Sequence, residues 1–221
     1  MKAITASVVF GLLLRSAAES PPPADDAREA LRLCGAVGET PAGERAAVAA
    51  RGLALAERAI AADPAAAPAH LAAFCNLGKQ MKLSRNPFGN LWRLRRLRHE
   101  VDTTLALDPD CADALVGKGL LLVHLPRLLG GDPVAAEALL RRGLARDPDQ
   151  LEGRLALAEL LRPRDLEAAR IEARRALATA EREGEPGDVD DARALLRSLG
   201  EDGVIARGPV PGGQSATEPS K

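Results

Sequence analysis

The feature that most constrains this chain is a dipeptide. Asp-Pro stands at 63–64, 108–109 and 147–148, each time closing a stretch whose apolar residues recur with helical spacing. Proline carries no N–H and its ring clashes with the preceding turn, so a helix cannot run through it. The residue before it is pushed into extended backbone. Three such stops, 45 and 39 residues apart, divide the chain into helical units of similar size. Units of that length cannot bury an apolar face alone and stack on their neighbours to do so.

Composition agrees. Aromatic residues make up 2% of the chain, with no tyrosine, which argues against a β sandwich or barrel, whose strands favour aromatic and β-branched side chains. Alanine, leucine, arginine and glutamate dominate, and all are good helix formers. Thirty basic and 31 acidic residues give a formal net charge of −1, so a global nucleic-acid binder is not implied and no specific nucleic-acid partner is expected.

The first residues read separately. Lys2 gives a positive start, residues 3–14 (AITASVVFGLLL) are mostly apolar but short for a bilayer span, and Ser16-Ala17-Ala18 supplies small residues. That order predicts a signal peptide over 1–18, cleaved after Ala18, and a periplasmic or secreted protein with no transmembrane segment after cleavage. The alternative is an uncleaved N-terminal anchor.

Residues 19–26 read as a Pro-rich linker. Helices are expected at Ala27–Val37, from Thr40 as N-cap to Asp63, at Ala67–Leu83, from Asn90 to Asp108, and at Ala112–His124. Others follow at Val134–Arg146 with Asp132 as N-cap, Gln150–Leu161 and Leu166–Glu183. Asp188–Leu199 reads as a C-terminal capping helix, and 201–221, rich in Gly and Pro, as a disordered tail. The repeat domain is thus expected over 27–200.

With the prolines aligned, small residues recur. Gly52, Ala56 and Ala59 precede Pro64; Leu97, Val101 and Thr104 precede Pro109; Ala136, Leu140 and Gly143 precede Pro148; Ala169, Ala173 and Ala176 follow in a fourth unit. Gly119 and Ala158 take the small position in the helices after the second and third prolines, whereas Phe74 stands at that position after the first. This pattern resembles the tetratricopeptide repeat, an antiparallel helix pair of about 34 residues with small residues where the helices approach and a proline near its end. The resemblance, with exported bacterial members in view, implies an all-α fold. It would be a right-handed superhelical stack of about four antiparallel hairpins, a TPR-like α-solenoid, with a capping helix. The extra residues relative to the motif fall inside hairpins, at SRNPFG and LPRLLGG.

It also implies a function: a non-catalytic scaffold or adaptor that binds a peptide or protein on the concave face lined by the first helix of each pair. Candidate contacts there are His70, Asn76, Lys79, Lys118 and Arg154. Trp92, Arg95 and Arg96 belong to a basic run that reads as a docking edge for an acidic partner, anionic lipid or nucleic acid, or else as a solvated helix face. Pro126 and Gly130-Gly131-Asp132 resemble exported repeat proteins associated with uptake systems. The second reading is therefore a periplasmic ligand-binding accessory component of a TRAP-type transport system. Cys34 and Cys75 lie on first helices of successive hairpins, which run side by side in such a stack, and are candidates to pair, with Cys111 the free thiol. The alternative is three ordinary cysteines. The histidines His70, His99 and His124 have no ligand spacing, and no phosphate loop, nucleophile elbow or zinc pattern occurs, so no enzyme activity, metal or cofactor is expected.

Overall fold

The computed structural model describes residues 23–84, 87–184 and 186–201. The expected signal peptide, residues 19–22 of the expected linker and the tail from 202 lie outside that range. The described chain forms α1 (Pro23–Ala36), α2 (Arg45–Ala62), α3 (Ala67–Leu83), α4 (Pro87–Leu107), α5 (Ala112–His124), α6 (Pro133–Arg146), α7 (Leu151–Leu161), α8 (Leu166–Glu183) and α9 (Pro186–Ser198). A single 3-10 turn, Arg127–Leu129, lies between α5 and α6, and there is no strand among the described residues. The helices pair as α1/α2, α3/α4, α5/α6 and α7/α8. α1 also packs on α3, α5 on α7, and α9 closes the stack on α8 and α7.

The three Asp-Pro junctions share one hydrogen-bond pattern. The aspartate N–H donates to the carbonyl four residues back and ends the helix, to Ala59, Thr104 and Gly143 in turn. Its own carbonyl accepts from the N–H three residues on, at Ala66, Cys111 and Gln150. Its carboxylate accepts the N–H two residues on, from Ala65 at 2.9 Å, Asp110 at 3.2 Å and Asp149 at 3.0 Å. The aspartate therefore serves as helix stop, turn former and side-chain acceptor at once. Three junctions of one geometry send each first helix off in a similar direction.

Close packing follows at the small positions. Ala56, Ala59, Ala136, Ala169, Ala173 and Ala176 are fully buried, as are Val101, Thr104 and Leu140. Where the pattern departs, a neighbour compensates. Phe74, large at a small position, lies against Gly117 on α5, and a Cβ added there would overlap the Phe74 ring. Asn76 on α3 lies against Gly52 on α2 in the same way, its amide filling the space a Cβ would need. The Asn76 amide donates to the carbonyls of Ala30 and Ala72, both at 2.9 Å, and so bridges three helices.

Several boundaries differ from the sequence expectation. α1 begins at Pro23, inside the expected linker. Proline suits a first helical position because its missing N–H would have no partner there, and Asp25 and Asp26 in the first turn favour the positive end of the helix. α4 begins at Pro87 rather than Asn90 for the same reason, so part of the insertion becomes helix. Thr40 does not cap α2. Its hydroxyl donates to Ala36 O at 2.7 Å and closes α1, while the chain turns through Pro41–Glu44 before α2 starts. The fold also reaches past 200. Gly200 adopts φ 80°, and the turn returns the Glu201 N–H to Leu196 O. Glu201, expected in the tail, is buried against Arg170 and Arg174.

Gly52→Ala should destabilise the chain by about 1–3 kcal/mol, because Asn76 has no room to retreat. Gly35→Ala on α1, where an added Cβ meets nothing within 4 Å, should be neutral or stabilising. Urea unfolding of the two variants separates these outcomes.

Candidate functional site

The first helices of the four pairs run alongside one another, and between them lies a groove of about 510 Å³. Leu31 and Gly35 come from α1; Leu71, Phe74, Cys75 and Gly78 from α3; Val116, Gly117, Leu120 and Leu121 from α5. Leu97 of α4 completes the wall. The lining is mostly apolar, and three glycines leave its surface without side chains. α3 and α5 meet only sparingly, so the groove opens between the second and third pairs.

Its two ends carry opposite charge. Asp113 and Glu152, with Gln150, stand where α5 and α7 begin; Lys79, Lys82 and His124 stand where α3 and α5 end. Acids at helix starts and bases at helix ends complement each helix dipole. Parallel helices bring these like ends together, so a local preference of single helices becomes a polarity of the whole groove.

The disulfide Cys34–Cys75 crosses from α1 to α3 at the groove wall, with S–S 2.01 Å and Cα–Cα 6.1 Å. Cys111 is the free cysteine among the described residues, and burial pushes its thiol above the ordinary value, the opposite of an activated nucleophile.

The candidate residues from the sequence divide sharply. Lys79 lines the groove. Lys118 is half-buried and pairs with Asp102 of α4 at 2.7 Å. Trp92 is 74% exposed on α4, and Arg95 is exposed near it. Arg96 spans two pairs, donating to Glu57 on α2 at 2.6 Å and to Glu100 at 3.3 Å. Burial works against the Arg96 charge, but the two carboxylates outweigh it and hold the guanidinium above its ordinary value. Asn76 is fully buried between helices and does not line the groove.

His70 and Arg154 are corrections too, and they correspond. Each stands six residues after its junction proline, each reaches back to that proline's carbonyl, and each pairs with a carboxylate on the partner helix. His70 Nε2 lies 3.0 Å from Pro64 O and Nδ1 lies 2.7 Å from Glu100. Arg154 Nε donates to Pro148 O at 2.8 Å and Nη1 to Glu172 at 2.7 Å. These side chains latch a hairpin to its junction and leave nothing for a partner. In the third pair the equivalent positions are Leu115 and Leu139.

Sequence reasoning missed Leu31, Phe74, Gly78, Gly117, Asp113, Glu152 and His124. Their signal is present, since they recur at helical spacing on first helices, but spacing alone does not say which flank of a helix faces the groove. Among the described residues no group of three or more His, Cys, Asp or Glu is placed to hold a metal ion, and no helix is long and apolar enough to cross a membrane.

No protein-family model and no curated protein sequence matches the chain. Among solved structures it is similar to the crystal structure of a thermophilic TPR protein from Thermus thermophilus. The TM-score is 0.52 and the identity 18%, over 80% of this chain and 98% of that one. The fold is a TPR-like α-solenoid.

His70→Ala should cost about 1–3 kcal/mol, because it removes a buried hydrogen-bond partner from Pro64 O and from Glu100, which keeps Arg96. The double change His70→Leu with Glu100→Leu, which installs the residues of the third pair, should recover most of that loss in urea unfolding. Reducing the disulfide should cost about 3–4 kcal/mol through the freedom regained by the unfolded chain, read as a fall in the same midpoint when dithiothreitol is present.

Proposed function

We propose that this TPR-like solenoid is a non-catalytic interaction scaffold that seats an apolar segment of a peptide or protein partner in the groove between its first helices. The observation that carries the reading is the groove itself: open between the first helices, apolar in its walls, and floored in part by glycine. A segment with bulky apolar side chains bridges α3 and α5 where they meet least. Acidic groups on the partner suit the Lys79 and Lys82 end, and basic groups suit the Asp113 and Glu152 end, which fixes its direction.

An accessory role in a TRAP-type transport system draws no support from this site, since a small polar ligand calls for an enclosed polar cavity. Export from the cytoplasm is part of the proposal. It rests on the order of charge, apolar run and small residues in 1–18, and the Cys34–Cys75 disulfide suits an oxidising compartment. N-terminal sequencing of the mature protein tests it.

Gly78→Leu tests the groove. An added Cβ at Gly78 meets only Leu97, at 3.9 Å, so the larger side chain enters the groove rather than the core. Partners captured from the native host by wild-type protein should lose at least tenfold in affinity for Gly78→Leu, and those with an acidic segment should also weaken for Lys79→Glu. The melting temperature of Gly78→Leu should hold or rise. Unchanged capture by both variants places the partner elsewhere.

A further inference from the structure

A second surface lies on the edge of the stack where the turns within the hairpins are gathered, meeting the groove at its Lys82 and His124 end. The ends of α3 and α5 and the start of α4 share one apolar cluster, Leu77, Leu94 and Leu97 with Met81, Leu121 and Leu125 packed on it. Arg98 of α4 donates to Leu129 O in the turn that follows α5. These segments therefore form one continuous edge.

Its composition is unlike the rest of the surface. Of eight exposed large apolar residues among those described, six stand here: Leu83, Trp92, Leu128, Leu129, Val134 and Leu166. Leu128 is 99% exposed and Val134 75%. The turn that carries Leu128 is built to hold it out. Leu129 N–H and Gly131 N–H both donate to Pro126 O, Gly130 takes φ 83°, and a Cβ at Gly131 would overlap Leu125 O.

The middle of this edge is also poor in acid, while its flanks carry carboxylates, Glu39 and Glu44 in the α1/α2 turn and Asp165 and Glu167 beside Leu166. No carboxylate occurs between Asp63 and Glu100 or between Asp113 and Asp132, and Asp132 spends its carboxylate capping α6, accepting from Val134 and Ala135. Lys82, Arg95 and Arg127 lie along this edge. The opposite edge holds the junctions, where Asp110 pairs with Arg142 and Arg146, and Asp149 with Arg182.

We propose that this edge docks on an anionic lipid surface, its apolar side chains entering the headgroup boundary and its basic side chains meeting lipid phosphates. The apolar side chains protrude singly from successive hairpins. A fluid interface accommodates such points anywhere, whereas a protein partner needs a matching pocket for each. The junction edge then faces away from the membrane, which orients the molecule and leaves the groove reachable from the side.

The chain contains one tryptophan, Trp92, and it stands on this edge, so the full-length protein carries its own probe. With phosphatidylcholine vesicles containing phosphatidylglycerol, Trp92 emission should shift to the blue and be quenched by brominated acyl chains. With phosphatidylcholine alone it should not, and salt should weaken the effect. Leu128→Glu and Arg127→Glu should each reduce partitioning at least severalfold, while Leu107→Glu, exposed on the junction edge, should leave it unchanged. Four results overturn the proposal: sedimentation with vesicles while Trp92 stays unquenched, which means attachment through another segment such as residues 3–14; equal binding to neutral vesicles; wild-type binding by Leu128→Glu; or no binding to the anionic vesicles. Absence of vesicle binding, with capture of an acidic protein that Leu128→Glu abolishes, overturns it in favour of a protein partner at this edge.

Discussion

Everything in this molecule hangs on the backbone hydrogen bonds at the Asp-Pro junctions. A helix end leaves carbonyls without partners and a following helix start leaves N–H groups without partners. At 63, 108 and 147 one aspartate closes the first helix with its N–H and supports the turn with both its carbonyl and its carboxylate. The proline keeps the aspartate extended, and the proline carbonyl is met by a side chain each time: His70, Arg142 and Arg154. Because the junction repeats, the first helices lie parallel. A groove between them and a separation of helix starts from helix ends both follow from that one geometry.

Packing then uses little bulk. Fully buried alanines line the helix contacts, so the backbones approach closely and a change of one side chain must be answered by its neighbour. Phe74 is answered by Gly117, and Asn76 by Gly52. The hairpins also differ in how their helices are tied. Two use a buried side chain and a carboxylate, His70 with Glu100 and Arg154 with Glu172, where the third has leucines at the equivalent positions. A buried polar pair gains little over apolar packing, but it penalises any misaligned partner. The first hairpin is instead bolted to the second by the disulfide, and its own helices are tied by the Asp26–Arg58 pair at 2.6 Å.

Much of the fold was legible beforehand, because proline positions and small-residue spacing are local statements that survive into the structure. The expected helices Ala67–Leu83, Ala112–His124 and Leu166–Glu183 match the observed bounds. The departures share a cause. Pro23 and Pro87 look like breaks in the sequence, although a proline starts a helix as readily as it prevents one. Glu201 looks like tail because its partners, Arg170 and Arg174, stand about 30 residues earlier. The candidate site was less legible. His70, Asn76 and Arg154 sit on the right helices but point into the packing, and polarity alone does not distinguish a side chain that meets a partner from one that meets a buried carbonyl.

The sequence by itself determined that the chain is helical, where its hairpins turn and where their helices come close. Those properties depend on residues within a few turns of one another. It also determined the separation of Asp113 from His124 along α5, since that follows the dipole of a single helix. Only the tertiary structure decided which flank of each first helix faces the groove, that Cys34 meets Cys75, and that Trp92 and Leu128 share one edge. Each of those outcomes depends on the angle at which one hairpin stacks on the next, and that angle is set by contacts between residues far apart in the chain.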